Sequence, residues 1–145
     1  MINIVVRKAL AEDVAIVWKL GEHIPEFQTS DQAPTFWPAS ILQSCIGKDD
    51  VYFYVAVSGQ QIVGFVIANC NTSLSKALIE NIYVHPDHRG QGIGTRLAKQ
   101  VIESAKADGY QFISVLTPPD DAAAIAAYKK AGFAEGETFL WLDVA

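Results

Sequence analysis

Cysteine is scarce in this chain of 145 residues, with Cys45 and Cys70 the only two. Two thiols so far apart make neither a disulfide framework nor a paired metal site, so both read as small core hydrophobes. Positive charge is also short. A formal net charge of −5 leaves no basic face of the kind a non-specific nucleic-acid binder needs. An acidic surface suits a cationic substrate instead. No apolar run reaches membrane-spanning length, and the first residues alternate like a strand rather than a signal peptide, so the expectation is a cytoplasmic protein with no membrane partner. Internal repeats, low-complexity tracts and Pro/Gly linkers are missing too. One domain over residues 1–145 is expected.

What is present is an ordered series of apolar patterns. Ile2 to Arg7 reads as a strand and Ala11 to Leu20 as a helix, with Glu12 and Asp13 in its first turn. Gly21 to Asp50 is irregular, holding Pro25, Pro34 and Pro38, the aromatics Phe27, Phe36 and Trp37, and a short helix near Ala39 to Ile46. Val51 to Val57 and Gln61 to Cys70 form a hairpin around Ser58-Gly59-Gln60, and Lys76 to Val84 is the next strand. The period then changes from two to 3.6, with Ile93, Leu97, Val101 and Ala105 on one helix face and Gly109 as its stop. Phe112 to Leu116 reads as a short buried strand. A helix capped by Asp120 or Asp121 follows, ended by Gly132 after Lys129 and Lys130, and Thr138 to Val144 reads as a last strand. The order β-α-α-β-β-β-α-β-α-β implies an α/β (α+β) fold, a mixed sheet covered by helices.

The segment Arg89-Gly90-Gln91-Gly92-Ile93-Gly94 stands between a strand and the most amphipathic helix. Glycine lets backbone N–H groups approach an anion closely, and the helix start adds unpaired N–H groups and the positive end of its dipole. Arg89 can add a charge-assisted bond, so phosphate is the natural guest. A dinucleotide fingerprint would need glycine where Thr95 stands, and the spacing of a nucleotide P-loop is absent.

Arg89-x-x-Gly92-x-Gly94, preceded by Ile82-Tyr83-Val84-His85-Pro86, resembles the acetyl-CoA motif of the GNAT superfamily of N-acetyltransferases. The resemblance extends to Arg7-Lys8-Ala9 with Glu12-Asp13, to Ile62-Val63-Gly64, and to Tyr128-Lys129-Lys130-Ala131-Gly132-Phe133; only Gly21 to Asp50 lacks a family signature. It implies a GNAT fold with helices on both faces of the sheet and acetyl-CoA as cosubstrate, with no metal. The backbone of Ile82, Tyr83 and Val84 would pair with the pantetheine arm. The N–H groups of Gly90, Gln91, Gly92, Ile93, Gly94 and Thr95 would bind the pyrophosphate. A homodimer is a common family expectation.

Acetyl transfer to an amine requires the amine to lose a proton before attack, since an alkyl ammonium has a pKa near ~10.4, and requires a proton for the departing thiolate. By the resemblance Tyr128 is the proton donor; its competing reading is a core aromatic on an alanine-rich helix. Glu80 is the candidate general base, lying in an apolar strand whose partial burial would raise its pKa. It resembles a glutamate of diamine acetyltransferases, in which an acid usually follows where this chain has Asn81. A surface residue is the alternative. Asp120 and Asp121 resemble acids that meet substrate ammonium groups in aminoglycoside acetyltransferases, with helix capping as the plainer role. Phe27 and Trp37 are candidates for an acceptor pocket or for core packing. His85 and His88 read as surface or packing residues, because no third metal ligand accompanies them. The expected activity is acetyl transfer to a small cationic amine by direct attack in a ternary complex. A protein N-terminus or lysine as acceptor, and a non-catalytic acyl-CoA sensor, are the alternatives.

Overall fold

Apolar runs in the middle of the chain are long enough for strands buried on both faces, and these build the centre of the molecule. The computed structural model describes residues 3–22, 24, 36–117, 120–136 and 142. Strands β1 (Ile4–Lys8), β2 (Val51–Ser58), β3 (Gln61–Asn71), β4 (Lys76–Val84) and β5 (Phe112–Val115) lie side by side in that order. The first four pair antiparallel, and β5 joins β4 in parallel. A parallel neighbour requires a crossover, which helix α3 (Ile93–Ala107) supplies. Helices α1 (Val14–Gly21) and α2 (Ala39–Cys45) pack on one face, α3 and α4 (Ala122–Ala131) on the other. The mixed α/β sheet between helix layers is the architecture the pattern implied. The expected last strand, Thr138 to Val144, lies outside the described residues.

Central position explains why β3 is almost wholly apolar. Val63, Phe65, Val66 and Ile67 are completely buried, and each such side chain contributes about 1.5–3 kcal/mol relative to exposure. Gly64 sits there because β4 passes too close for a side chain: a Cβ would lie 2.7 Å from the Tyr83 carbonyl oxygen. On α3 the four-residue spacing is realised, with Ile93, Leu97, Val101 and Ala105 buried. Its C-terminal half is fastened to β2 by hydroxyls. The Tyr52 hydroxyl donates to Asp108 Oδ2 at 2.5 Å, and those of Tyr54 and Ser104 meet at 2.6 Å. Burial, and then the Asp108 carboxylate, push the Tyr52 phenol well above its ordinary value. Arg96 Nη1 donates to the Ile4 carbonyl at 2.8 Å and fastens the other half to β1.

Two local readings are corrected. The helix expected from Ala11 begins as a tight 3-10 turn, Ala11–Asp13, before α1. Asp13 turns inward, where it is only 4% exposed, receives both Arg7 nitrogens at 2.6 and 3.1 Å, and accepts the Leu10 N–H at 2.7 Å. The Arg7 bond, followed by that N–H, holds the carboxyl below its usual range against the opposing effect of burial. The strand from Phe112 to Leu116 is not buried: Phe112 is 60% and Leu116 53% exposed. Among the described residues β5 is an outer strand, so only part of it meets the core. Cys45 is buried and Cys70 partly so, and burial raises both thiols.

Candidate functional site

β4 has a partner on each side for only part of its length. Its parallel ladder to β5 covers Lys76 to Ile79 and stops, whereas its antiparallel ladder to β3 continues to Val84. Among the described residues, Ile82, Tyr83 and Val84 therefore have no ladder on the β5 side. The cause is local. Ile67 faces Asn81 and Ala68 faces Ile79, so Glu80 is an extra residue, a bulge at the point where the β5 ladder ends. A bulge bends its strand and increases its twist, which opens β4 away from β5. An extended ligand with amide groups can pair with such an edge as an added strand would.

The opened edge runs into the glycine segment. After the 3-10 turn Pro86–His88, Gly90 and Gly92 adopt φ of +80° and +78°, left-handed conformations that a side chain would strain. Gly92 accepts the first helical bond of α3, from the Arg96 N–H at 3.0 Å. The N–H groups of Ile93, Gly94 and Thr95 precede that bond and have no acceptor within the helix. They form an anion-attracting end at the dipole's positive pole. Ile93 itself is buried and anchors the turn, and the Thr95 hydroxyl donates to the Ala127 carbonyl at 3.3 Å, tying α3 to α4. Arg89 Nε donates to the Val84 carbonyl at 2.9 Å while its guanidinium lies 5.9 Å from the Tyr83 ring centre. The exposed arginine is thus directed along the same edge.

Tyr128 is the one buried residue of α4, 7% exposed, in the core cluster that includes Ile93 and has Ile82 and Val84 at its margin. Phe133 stands edge-on to its ring at 5.9 Å. Burial, with the Asp121 charge adding to it, pushes the phenol far above its ordinary value, so it keeps its proton at neutral pH. Asp121 caps α4, its Oδ1 accepting the Ala124 N–H at 3.1 Å. Asp120 is exposed in the turn just before, its carbonyl accepting the Ala122 N–H at 3.1 Å. Capping is thus the role Asp121 visibly performs.

The opposite face of β4 carries different chemistry. Ile79 and Ile82 pack towards α3, and the bulge between them turns Asn81 the other way, where its Oδ1 accepts the Trp37 indole N–H at 2.6 Å. Phe36, Phe65 and Tyr83 follow as a chain of tilted rings with centres 5.6 and 5.7 Å apart. Glu80 accepts from Asn69 Nδ2 at 3.4 Å and is exposed. The partial burial expected for Glu80 is therefore wrong: a bulged residue is pushed out of the ladder rather than into the core. Trp37 is partly buried and packs against the α1–α2 cluster. Sequence reasoning named Trp37 but did not pair it with Asn81. Phe27 lies outside the described residues. His85 Nδ1 accepts the Asp87 N–H at 3.2 Å, a turn-forming role, and His88 stands 6.1 Å from it ring to ring.

A cavity of about 450 Å³ opens at the other end of the sheet, between Lys8, Lys48, Tyr52, Tyr54, Ser104 and Asp108. None of the candidate catalytic, cofactor or acceptor residues lines it. Among the described residues no cluster of His, Cys, Asp or Glu is arranged to hold a metal ion, and no helix is long and apolar enough to cross a membrane.

An opened β4 edge leading into a glycine-built helix start suits an extended ligand that carries amides and a phosphate. Residues 18–133 match the acetyltransferase (GNAT) family, and the chain belongs to it. It is 39% identical over 106 residues to an uncharacterised N-acetyltransferase of Methanocaldococcus jannaschii, an alignment covering 70% of this chain and 47% of that protein. The chain thus spans about half the length of that relative. Solved structures share the fold, two of them as follows. One is the PaiA N-acetyltransferase of Thermoplasma acidophilum in complex with coenzyme A (TM-score 0.78, 19% identity, 94% of this chain and 93% of that one). The other is an aminoglycoside acetyltransferase from an uncultured soil metagenomic sample in complex with sisomicin (TM-score 0.78, 16% identity, 98% and 96%).

Proposed function

We propose that this protein transfers the acetyl group of acetyl-CoA to a primary amine of a small cationic molecule, by direct attack in a ternary complex. The observation that carries the reading is the β4 edge. Its ladder to β5 ends at Ile79, and the freed stretch Ile82–Val84 leads into the turn in which Gly90 and Gly92 take positive φ. The residues present fit the cosubstrate. A pantetheine arm offers amides to the edge, and its pyrophosphate suits the N–H groups from Gly90 to Thr95 with Arg89 beside them.

Acetyl-CoA supplies the activated thioester. The chain supplies position and protons. Backbone N–H groups on β4 would hold the carbonyl oxygen. Glu80 would remove the amine proton, and its exposure suits passage through a water. Tyr128, a phenol that carries its proton at neutral pH, would donate to the leaving sulfur. Asp120 and Asp121 supply negative charge near the start of α4 that favours a cationic acceptor, as does the net charge of −5. The sisomicin complex of a fold neighbour agrees with an amine of this kind. The test is CoA-thiol release over a panel of amines. Acceptor-dependent release is expected, and its absence across the panel together with firm acetyl-CoA binding would mark a sensor instead.

A further inference from the structure

The bond between Trp37 and Asn81 fixes the orientation of a group at the acceptor side of β4. An indole N–H can only donate, so the Asn81 atom that it meets at 2.6 Å is the carboxamide oxygen. With Oδ1 held, the amide cannot turn over, and its opposite end is Nδ2, which carries two N–H donors and no acceptor. Asn81 is only half-buried, so a ligand can reach it. The bulge sets Glu80 immediately beside it. Glu80, whose carboxylate accepts from Asn69 Nδ2, and Asn81, whose amide keeps its donors, are thus consecutive residues where the β4–β5 ladder ends.

An amine surrounded by methylenes alone can use the carboxylate but leaves the amide N–H groups without a partner. An amine with a hydroxyl or carbonyl oxygen two or three bonds away can satisfy both. Sites built around a hydrogen-bonding group reject analogues that lack its partner more strongly than apolar pockets reject a change of size.

We propose that Asn81, held by Trp37, determines acceptor choice and selects amines bearing a neighbouring oxygen, as amino alcohols, aminosugars and amino amides do, over simple alkylamines and polyamines. The proposal rests on the acetyltransferase reading with Glu80 at the acceptor amine, and narrows it. Asn81 touches the substrate's oxygen, and Trp37 is a positioning residue acting through Asn81.

The experiment measures kcat/KM for CoA release over matched pairs: ethanolamine against ethylenediamine, glucosamine against cyclohexylamine, and alaninamide against propylamine. In the unaltered protein the oxygen-bearing member is favoured by about tenfold. In Asn81→Ala the ratio falls towards one. In Trp37→Phe, which keeps an aromatic ring but frees the amide to rotate, it falls part of the way. Asn81→Asp exchanges donors for acceptors and turns the preference towards ethylenediamine. Each ratio is read within one variant, so partial loss of folded protein cancels. The glucosamine and alaninamide arms separate a sugar-like acceptor from a peptide-like one. Equal kcat/KM within the pairs, or a ratio that survives Asn81→Ala, overturns the proposal and leaves the acetyltransferase reading standing. Turnover of no amine, with acetyl-CoA still bound, overturns both.

Discussion

The two sides of β4 are built on different principles. On the side proposed to hold the cofactor the available groups are backbone: the freed edge of Ile82–Val84, the positive-φ glycines, and the first N–H groups of α3. On the side proposed to meet the acceptor they are side chains brought together over long separations, Trp37 with Asn81 and Asn69 with Glu80. A backbone site constrains the sequence through conformation, so it leaves a readable glycine spacing. A side-chain site leaves no spacing at all, and it is free to change its guest without altering the cradle.

This contrast can be broken or sharpened by substitution. The largest effect belongs to the chemistry between the two sides. Tyr128→Phe should lower kcat roughly 100-fold, the lower end for a positioned general acid, while acetyl-CoA affinity by calorimetry stays within about twofold. An unchanged kcat would remove Tyr128 from the mechanism. The sign of its pKa shift also bears on pH. Because burial raises the phenol, it remains protonated through the neutral range, and no alkaline loss of activity below pH ~10 should trace to it. A pH–rate profile compared between the unaltered protein and Tyr128→Phe checks this.

Asp13 provides the control outside both sides. Asp13→Asn should cost about 2 kcal/mol in urea unfolding, since it weakens a buried carboxylate pair that also holds the Leu10 N–H. Its carboxyl titrates below the unfolded value. The stabilisation is therefore present above the unfolded pKa of ~3.9 and is lost as pH falls through the lower, folded one. The variant should narrow the difference in stability between pH 6 and the acid range (about one carboxyl's worth of proton linkage). An unaltered pH dependence would mean that another carboxylate governs acid unfolding.

Glu80→Gln should then reduce kcat/KM about tenfold, a smaller loss than at Tyr128 because an exposed base is partly replaced by solvent. An unchanged kcat/KM would assign the base elsewhere. Smallest is Gly92→Ala. A Cβ at φ +78° costs about 1 kcal/mol, so acetyl-CoA affinity should weaken about fivefold with no change in amine preference. A shift in amine preference would show that the two sides are not separable.

Much of this was legible beforehand, for identifiable reasons. The α3 stripe, the β2–β3 hairpin, the Asp121 cap and the Gly132 stop each follow from local rules, and each appears where expected. The bulge at Glu80 did not announce itself. Strict alternation would put Asn81 on the same face as Ile79, and one inserted residue sends it to Trp37 instead. Asp13 was read as a dipole-facing residue of a helix start, because nothing local says that Arg7, six residues earlier on a strand, will fold back on it. The exposure of Phe112 follows from β5 lying outermost among the described residues, a property of strand order and not of local sequence.

A backbone-built edge and helix start on this chain are proposed to hold acetyl-CoA. Calorimetric titration with acetyl-CoA, repeated with a CoA fragment lacking the pyrophosphate, tests this most directly. Binding tighter than about 100 μM is expected for the whole molecule, with most of it lost for the fragment. Affinity no better than millimolar, or equal affinity for the two, would mean that this edge and helix start do not hold acetyl-CoA.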